Sequence, residues 1–177
     1  MIKTLEYAKA LFLIAEEDGA TDEVLSDVLA VKEILDENPK YRNLLDTPAV
    51  SKAERLALID EAFSSLNESV RNLLKMLAQR RETYAFSGIA TDFSSLVDEK
   101  RGIIRAEAVS AVEMTDAQLD ALKKRLDAIT GKTVIVKNTV DPAIIGGLTL
   151  RYSGLQLDGS LKTRLKSFEK ALLGAVI

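Results

Sequence analysis

The stretch from Val134 to Leu165 limits the possible folds of this chain more than any other part of the sequence. It joins two runs of alternating apolar residues through Asp141-Pro142 and the pair Gly146-Gly147. Alternation with a period of two predicts half-buried strands. Proline disfavours a helical conformation at the residue before it, and glycines adopt backbone torsions that are closed to other residues. The stretch therefore predicts a strand, a turn and a second strand.

The end of this stretch predicts the start of a helix. Asp158-Gly159-Ser160 is typical of a turn that finishes on a helix N-cap, with the Ser160 hydroxyl as the capping oxygen. Apolar residues then recur at helical spacing, namely Leu161, Leu165, Phe168 and Leu172. We expect an amphipathic helix at the carboxyl end of the sequence.

The first hundred residues have apolar residues at helical rather than strand spacing. The predicted helices are about Thr4–Asp18, Asp22–Glu37, Tyr41–Asp46, one opened by a Ser51/Glu54 capping box, one presenting Val70 to Leu77, and about Thr83–Lys100. Short joints between them, such as Asn38-Pro39, favour a bundle. The fold class predicted for residues 1–102 is a six-helix bundle, so the protein is mainly α.

The pattern changes at Gly102. From Ile104 onward apolar and polar residues alternate, which predicts a strand, and Thr115 with Gln118 then forms a second capping box. Gly131 is the expected C-cap of the helix that follows. Together with the strands described above, residues 103–177 predict a small α+β domain.

Composition excludes several classes of function. The chain has no histidine and no cysteine, which removes the usual zinc ligands and the Ser-His-Asp triad. Its net charge of −3 gives no basis for nucleic-acid binding. No apolar run approaches the ~20 residues of a membrane span, and the first residues do not resemble a signal peptide. We expect an intracellular protein that binds no cofactor or metal, has no catalytic residue, and reaches a membrane only through a partner.

The second half of the sequence resembles the delta subunit of F-type ATP synthase, the family that includes the mitochondrial oligomycin sensitivity-conferring protein. The matching positions are Val134, Val136, Val140, Asp141, Ile144, Gly146, Gly147, Leu148, Leu150, Arg151, Ser153, Asp158, Gly159, Ser160 and Leu165. The segment Tyr7 to Phe12 also falls where that family has its N-terminal sequence. The resemblance covers both predicted domains.

The resemblance implies a peripheral-stalk connector that holds the catalytic head static against rotation. In that family the helical bundle binds N-terminal segments of α subunits on the head, and the C-terminal domain binds the end of the b subunits. For this chain it implies a peripheral position at the cytoplasmic face of a bacterial plasma membrane. Two alternatives stay open from the residues alone: a scaffold of another complex, and an enzyme using carboxylates, lysines and tyrosines.

The resemblance also implies a trough for one α-subunit helix, which we assign to the first and last helices of the bundle. The candidate residues are Tyr7, Leu11 and Ile14 on one wall and Ile89, Phe93 and Leu96 on the other. The alternative is that all six are ordinary core residues, because apolar stripes also form cores.

Overall fold

The computed structural model describes residues 3–144, 147–152 and 155–158. It divides into two compact units, Met1–Lys100 and Arg101–Ile177. This division lies close to the domain boundary predicted at residue 102. The chain passes from the last helix of the first unit to the first strand of the second through Arg101 and Gly102.

The first unit is the predicted bundle. Its helices are α1 (Thr4–Glu17), α2 (Thr21–Glu37), α3 (Pro39–Asp46), α4 (Lys52–Ala62), α5 (Glu68–Arg80) and α6 (Phe86–Lys100). The helix predicted from Thr83 instead starts with one turn of 3-10 helix, Thr83–Ala85, which leads into α6. The predicted mainly α fold class with a small α+β part is confirmed.

Side-chain caps mark the start of two bundle helices. At α4, Ser51 accepts a hydrogen bond from the backbone N–H of Glu54, whose carboxylate accepts one from the Ser51 N–H, as the capping box predicts. At α5, the Asn67 side chain accepts from the Ser69 N–H. The N-cap of α2 is Ala20, which has no capping side chain, so the sequence places this boundary less sharply.

The bundle core takes side chains from all six helices. The largest that are fully buried are Phe86, Phe93, Leu45, Ile59, Leu74, Leu77, Ile89, Val24, Val28, Val31, Val70 and Val97. Burying one such side chain contributes about 1.5–3 kcal/mol relative to leaving it in water. The unit therefore has a hydrophobic core of its own, built without the second unit.

In the residues that the structure describes, the second unit is a four-stranded sheet with one helix on it. Its elements are β1 (Ile103–Ser110), α7 (Asp116–Thr130), β2 (Thr133–Val140), β3 (Leu148–Tyr152) and β4 (Leu155–Asp158), and the strand order is β2-β1-β3-β4. The strands β1 and β2 are parallel, which requires a crossover connection, and α7 supplies it. The capping box at Thr115 and the left-handed Gly131 bound α7 as predicted.

The core that the described residues of the second unit form is small. Its buried cluster consists of Ala106, Ala108, Val134 and Leu150, against which α7 packs the half-buried Leu122 and Leu126. Gly146, Gly159, Ser160 and the predicted final helix lie outside the described residues.

Candidate partner-binding site

The interface between α1 and α6 is packed as core. Leu11 is 3% exposed, whereas Ile89 and Phe93 are completely buried. The Phe12 ring meets the Phe93 ring edge-on, with 6.1 Å between centroids, an arrangement that stabilises aromatic pairs. These three predicted trough residues therefore have almost no surface to offer a partner in this chain.

The other three predicted residues reach the surface. Tyr7 and Leu96 are half-buried, and Ile14 is 45% exposed. Tyr7 and Ile14 are seven residues apart on α1, so they lie on the same side of that helix. The structure thus brings these two together and places Leu96 on a different helix, α6.

A hydrogen bond shows which helix faces the Tyr7 side of α1. The Arg80 guanidinium at the end of α5 donates to the Tyr7 hydroxyl oxygen over 2.8 Å. Met76 lies four residues before Arg80 and so shares its side of α5, where it is 36% exposed. On α1, the exposed Ala10 lies between Tyr7 and Ile14. We call Tyr7, Ala10, Ile14, Met76 and Arg80 the α1/α5 surface.

Sequence reasoning missed Met76 and Arg80. The apolar stripe of α5 includes Val70, Leu74 and Leu77, which are buried in the core. Because sequence reasoning considered only this stripe, it treated α5 as a core helix without a partner-binding side. The sequence feature that could have identified them is the four-residue spacing of Met76 and Arg80, which places both residues on one side of α5, outside the apolar stripe. An exposed methionine beside an arginine suits an interface, where both residue types are enriched.

In the second unit the signature residues that can be described have structural roles. The Asp141 carboxylate accepts a 2.9 Å hydrogen bond from the Ala143 N–H, which forms the turn after β2. Gly147 has φ +91°, a backbone conformation that other residues rarely adopt. Arg151 lies opposite Glu107 in the β1/β3 register, with 3.5 Å between its guanidinium and the carboxylate. Asp158 ends β4, paired with Thr149.

The described part of the chain contains no group of three or more acidic, histidine or cysteine side chains placed to hold a metal ion. Within the same residues, no helix is long and apolar enough to cross a membrane.

Comparison with known proteins identifies the family. The family model for the ATP synthase delta (OSCP) subunit matches residues 4–172. The chain belongs to the ATP synthase delta (OSCP) subunit family. Two similar relatives are the ATP synthase subunit delta of Rhodospirillum rubrum, 35% identical over 95% of this chain and 91% of the relative, and that of Geobacillus sp. strain WCH70, 36% identical over 95% of each.

A solved structure supports the delta-family fold. A chain in the cryo-EM structure of the Toxoplasma gondii mitochondrial ATP synthase hexamer matches with a TM-score of 0.77 and 21% identity, covering 98% of each chain. The family predicted from the Val134–Leu165 signature is thus confirmed by sequence, and the fold by structure.

Proposed function

We propose that this chain is the delta subunit of an F-type ATP synthase and acts as a non-catalytic connector in the peripheral stalk. Family membership over residues 4–172 supports this. In this role the protein holds the catalytic head static while the rotor turns, so that proton transport stays coupled to ATP synthesis. A connector needs separate binding surfaces for its two partners, and a chain of two compact units can supply them.

The helical unit binds the N-terminal segment of an α subunit through the α1/α5 surface. The observation that carries this proposal is the exposure of Ile14 and Met76, at 45% and 36%, on the two helices that the Tyr7–Arg80 hydrogen bond joins. Apolar side chains in a row along two neighbouring helices suit the apolar face of an amphipathic helix. Arg80 has further N–H donors besides the one bonded to Tyr7, and these can bind an oxygen of the partner.

The buried residues of the predicted trough pack in the core and hold α1 in position behind the α1/α5 surface. Leu11 lies on the core side of α1, and Ile89 and Phe93 are the α6 side chains of the same core. Their burial fixes the position of α1, and hence the direction in which Tyr7 and Ile14 point. Leu96 is half-buried and remains a candidate contact at the α6 side of α1.

The second unit binds the carboxyl-terminal end of the b subunits, so the protein reaches the membrane only through its complex. The expected location is the cytoplasmic face of a bacterial plasma membrane. The bacterial origin of the two relatives supports this.

The α-subunit contact is tested with a fluorescent peptide of the α N-terminus and the full-length chain. Ile14→Asp and Met76→Glu each place a charge on the α1/α5 surface, and we expect each to weaken binding about tenfold or more. The matched control is Leu44→Asp, because Leu44 is 40% exposed but lies on α3. The melting temperature of all three variants should stay near that of the wild type. Equal binding by Ile14→Asp, Met76→Glu and wild type would remove this surface from the proposal.

A further inference from the structure

A second apolar surface of the helical unit lies between α3 and α4. It is a groove of about 410 Å³. The residues that line this α3/α4 groove are Leu44, Val50, Glu54, Ala57, Leu58 and Glu61. Leu44 is 40% exposed, so much of its side chain is accessible to a partner at this groove. The groove belongs to neither the packed core nor the α1/α5 surface.

The groove has carboxylates at both ends of an apolar floor. Glu54, Ala57, Leu58 and Glu61 follow the i, i+3, i+4, i+7 spacing that places residues on one face of α4. With a rise of 1.5 Å per residue, Glu54 and Glu61 are about 10.5 Å apart along the helix axis. Ala57 and Leu58 lie between them and Leu44 faces them from α3.

Hydrogen bonds hold this arrangement in place without a partner. The Tyr41 hydroxyl of α3 donates a 3.1 Å hydrogen bond to the Leu58 carbonyl oxygen of α4. The Glu54 carboxylate is fixed by the Ser51 N–H at 3.0 Å. Burial, and secondarily the charge of Glu61, raise the pKa of Tyr41 above its usual value, so this hydroxyl keeps its proton. A preformed groove loses little entropy when a ligand binds.

We propose that the α3/α4 groove binds a cationic amphipathic helix of a partner protein. Two apolar side chains of the partner pack on Leu44 and Leu58. Lys or Arg residues about seven positions apart flank those anchors and pair with Glu54 and Glu61. This site is independent of the α-subunit contact proposed above, because it uses different helices.

The charges and shape of the groove argue against other occupants. A second copy of this chain that docked groove to groove would bring its own Glu54 and Glu61 close to these carboxylates, and like charges at short range repel. Nucleic acid would be repelled for the same reason. A small ligand favours an enclosed pocket with several converging polar groups, whereas this groove lies open between two helices.

The test uses a helical peptide of Leu and Lys only, about 14 residues or roughly four turns long, with Lys flanking the Leu face at seven-residue intervals. A peptide with Glu in place of Lys is the charge control. Each is titrated into the full-length ¹⁵N-labelled chain. We expect the Lys peptide to shift the backbone amide signals of α3 and α4, centred on Leu44 and Leu58, and the Glu peptide to shift none. Shifts spread over acidic residues throughout the helical unit, or centred on Tyr7 and Met76, would overturn the proposal.

Substitutions separate the groove from general electrostatic attraction. If Leu44 is an anchor, Leu44→Asp should lower the affinity for the Lys peptide about tenfold. If the peptide binds through charge alone, the added carboxylate should leave the affinity unchanged or raise it. Glu61→Lys should also lower this affinity about tenfold. Glu33→Lys makes the same charge change at an exposed position of α2, away from the groove, and should have little effect. Equal losses from Glu61→Lys and Glu33→Lys, or none from Leu44→Asp, would contradict the site. Ile14→Asp should bind the Lys peptide normally, which separates this result from failure of the α-subunit contact.

Discussion

The buried side chain of Arg55 donates a 2.7 Å hydrogen bond to the carbonyl oxygen of Ala78. The same nitrogen donates to the Leu45 carbonyl oxygen over 3.3 Å. Ala78 and Leu45 lie in the last turns of α5 and α3, where the helix dipole is negative, and the Ala78 carbonyl oxygen also accepts a 3.2 Å hydrogen bond from the Arg81 N–H. One positive charge on α4 therefore joins the ends of two other helices inside the bundle.

Replacing Arg55 should destabilise the bundle. Arg55→Met keeps much of the volume but removes both hydrogen bonds, so we expect it to lower the free energy of unfolding by about 1–3 kcal/mol. Arg55→Ala should lower the free energy of unfolding further, because it also leaves a cavity. Urea unfolding followed by circular dichroism measures both, with Lys52→Met at the exposed start of α4 as the control. An Arg55→Met variant as stable as the wild type would show that the buried guanidinium contributes nothing.

The Ser51–Glu54 capping box should make stability depend on pH. The backbone hydrogen bond from Ser51, followed by the Ser51 side chain, lowers the pKa of Glu54 below its ordinary 4.5. A carboxylate with a lowered folded-state pKa stabilises the fold above its unfolded pKa and loses this contribution as pH falls through the folded value. The melting-temperature advantage of wild type over Glu54→Gln should therefore be full at pH 7 and shrink below about pH 4.5. A constant difference down to pH 3, matching that of the exposed Glu33→Gln, would contradict this.

Charges placed in the α1/α6 interface should unfold the bundle rather than merely weaken partner binding. Leu11→Asp and Phe93→Asp bury an unpaired carboxylate, so we expect each to lower the free energy of unfolding by at least about 3 kcal/mol. Ile14→Asp changes a side chain that is 45% exposed, and its effect should stay within about 0.5 kcal/mol. Thermal denaturation distinguishes the two groups. A Leu11→Asp variant that melts like the wild type would mean that α1 does not pack as the structure shows.

The helical unit should fold as an isolated fragment. Residues 1–100 contain a complete apolar core, so the fragment should show one cooperative thermal transition. The buried cluster formed by the described part of residues 101–177 is much smaller, and this fragment should melt at a lower temperature, since small domains bury too little surface. Calorimetry of each fragment against the full chain measures this. A gradual, non-cooperative melt of the first fragment would contradict the prediction.

Truncation before Asp158 should separate the two proposed partner contacts. The α1/α5 surface lies entirely in residues that remain, so the truncated chain should bind the α-subunit peptide with unchanged affinity. It should fail to restore proton-driven ATP synthesis to membranes stripped of this subunit, because the contact with b is assigned to the second unit. Full restoration of synthesis by the truncated chain would contradict that assignment.

The candidate site was only partly predictable from the sequence. The periodicity of α1 identifies Tyr7, Leu11 and Ile14 as one apolar group, yet the fold buries Leu11 and exposes Ile14. A wide apolar stripe does not reveal which of its edges a neighbouring helix covers. The choice between α5 and α6 as the second wall depends on how the helices pack, and the Tyr7–Arg80 hydrogen bond shows that α5 lies on the Tyr7 side.

Local chemistry written in the sequence determined the fold class and several of the element boundaries. Capping boxes at Ser51 and Thr115, the glycine at 131 and the change from helical to alternating periodicity act within a few residues, so they can be recognised without knowing the fold. Tertiary structure alone decided that Arg55 enters the core and that Met76 and Ile14 remain exposed at the surface. Both outcomes depend on which distant helix ends and helix faces meet, and that information lies in the packing of the whole bundle rather than in any local pattern.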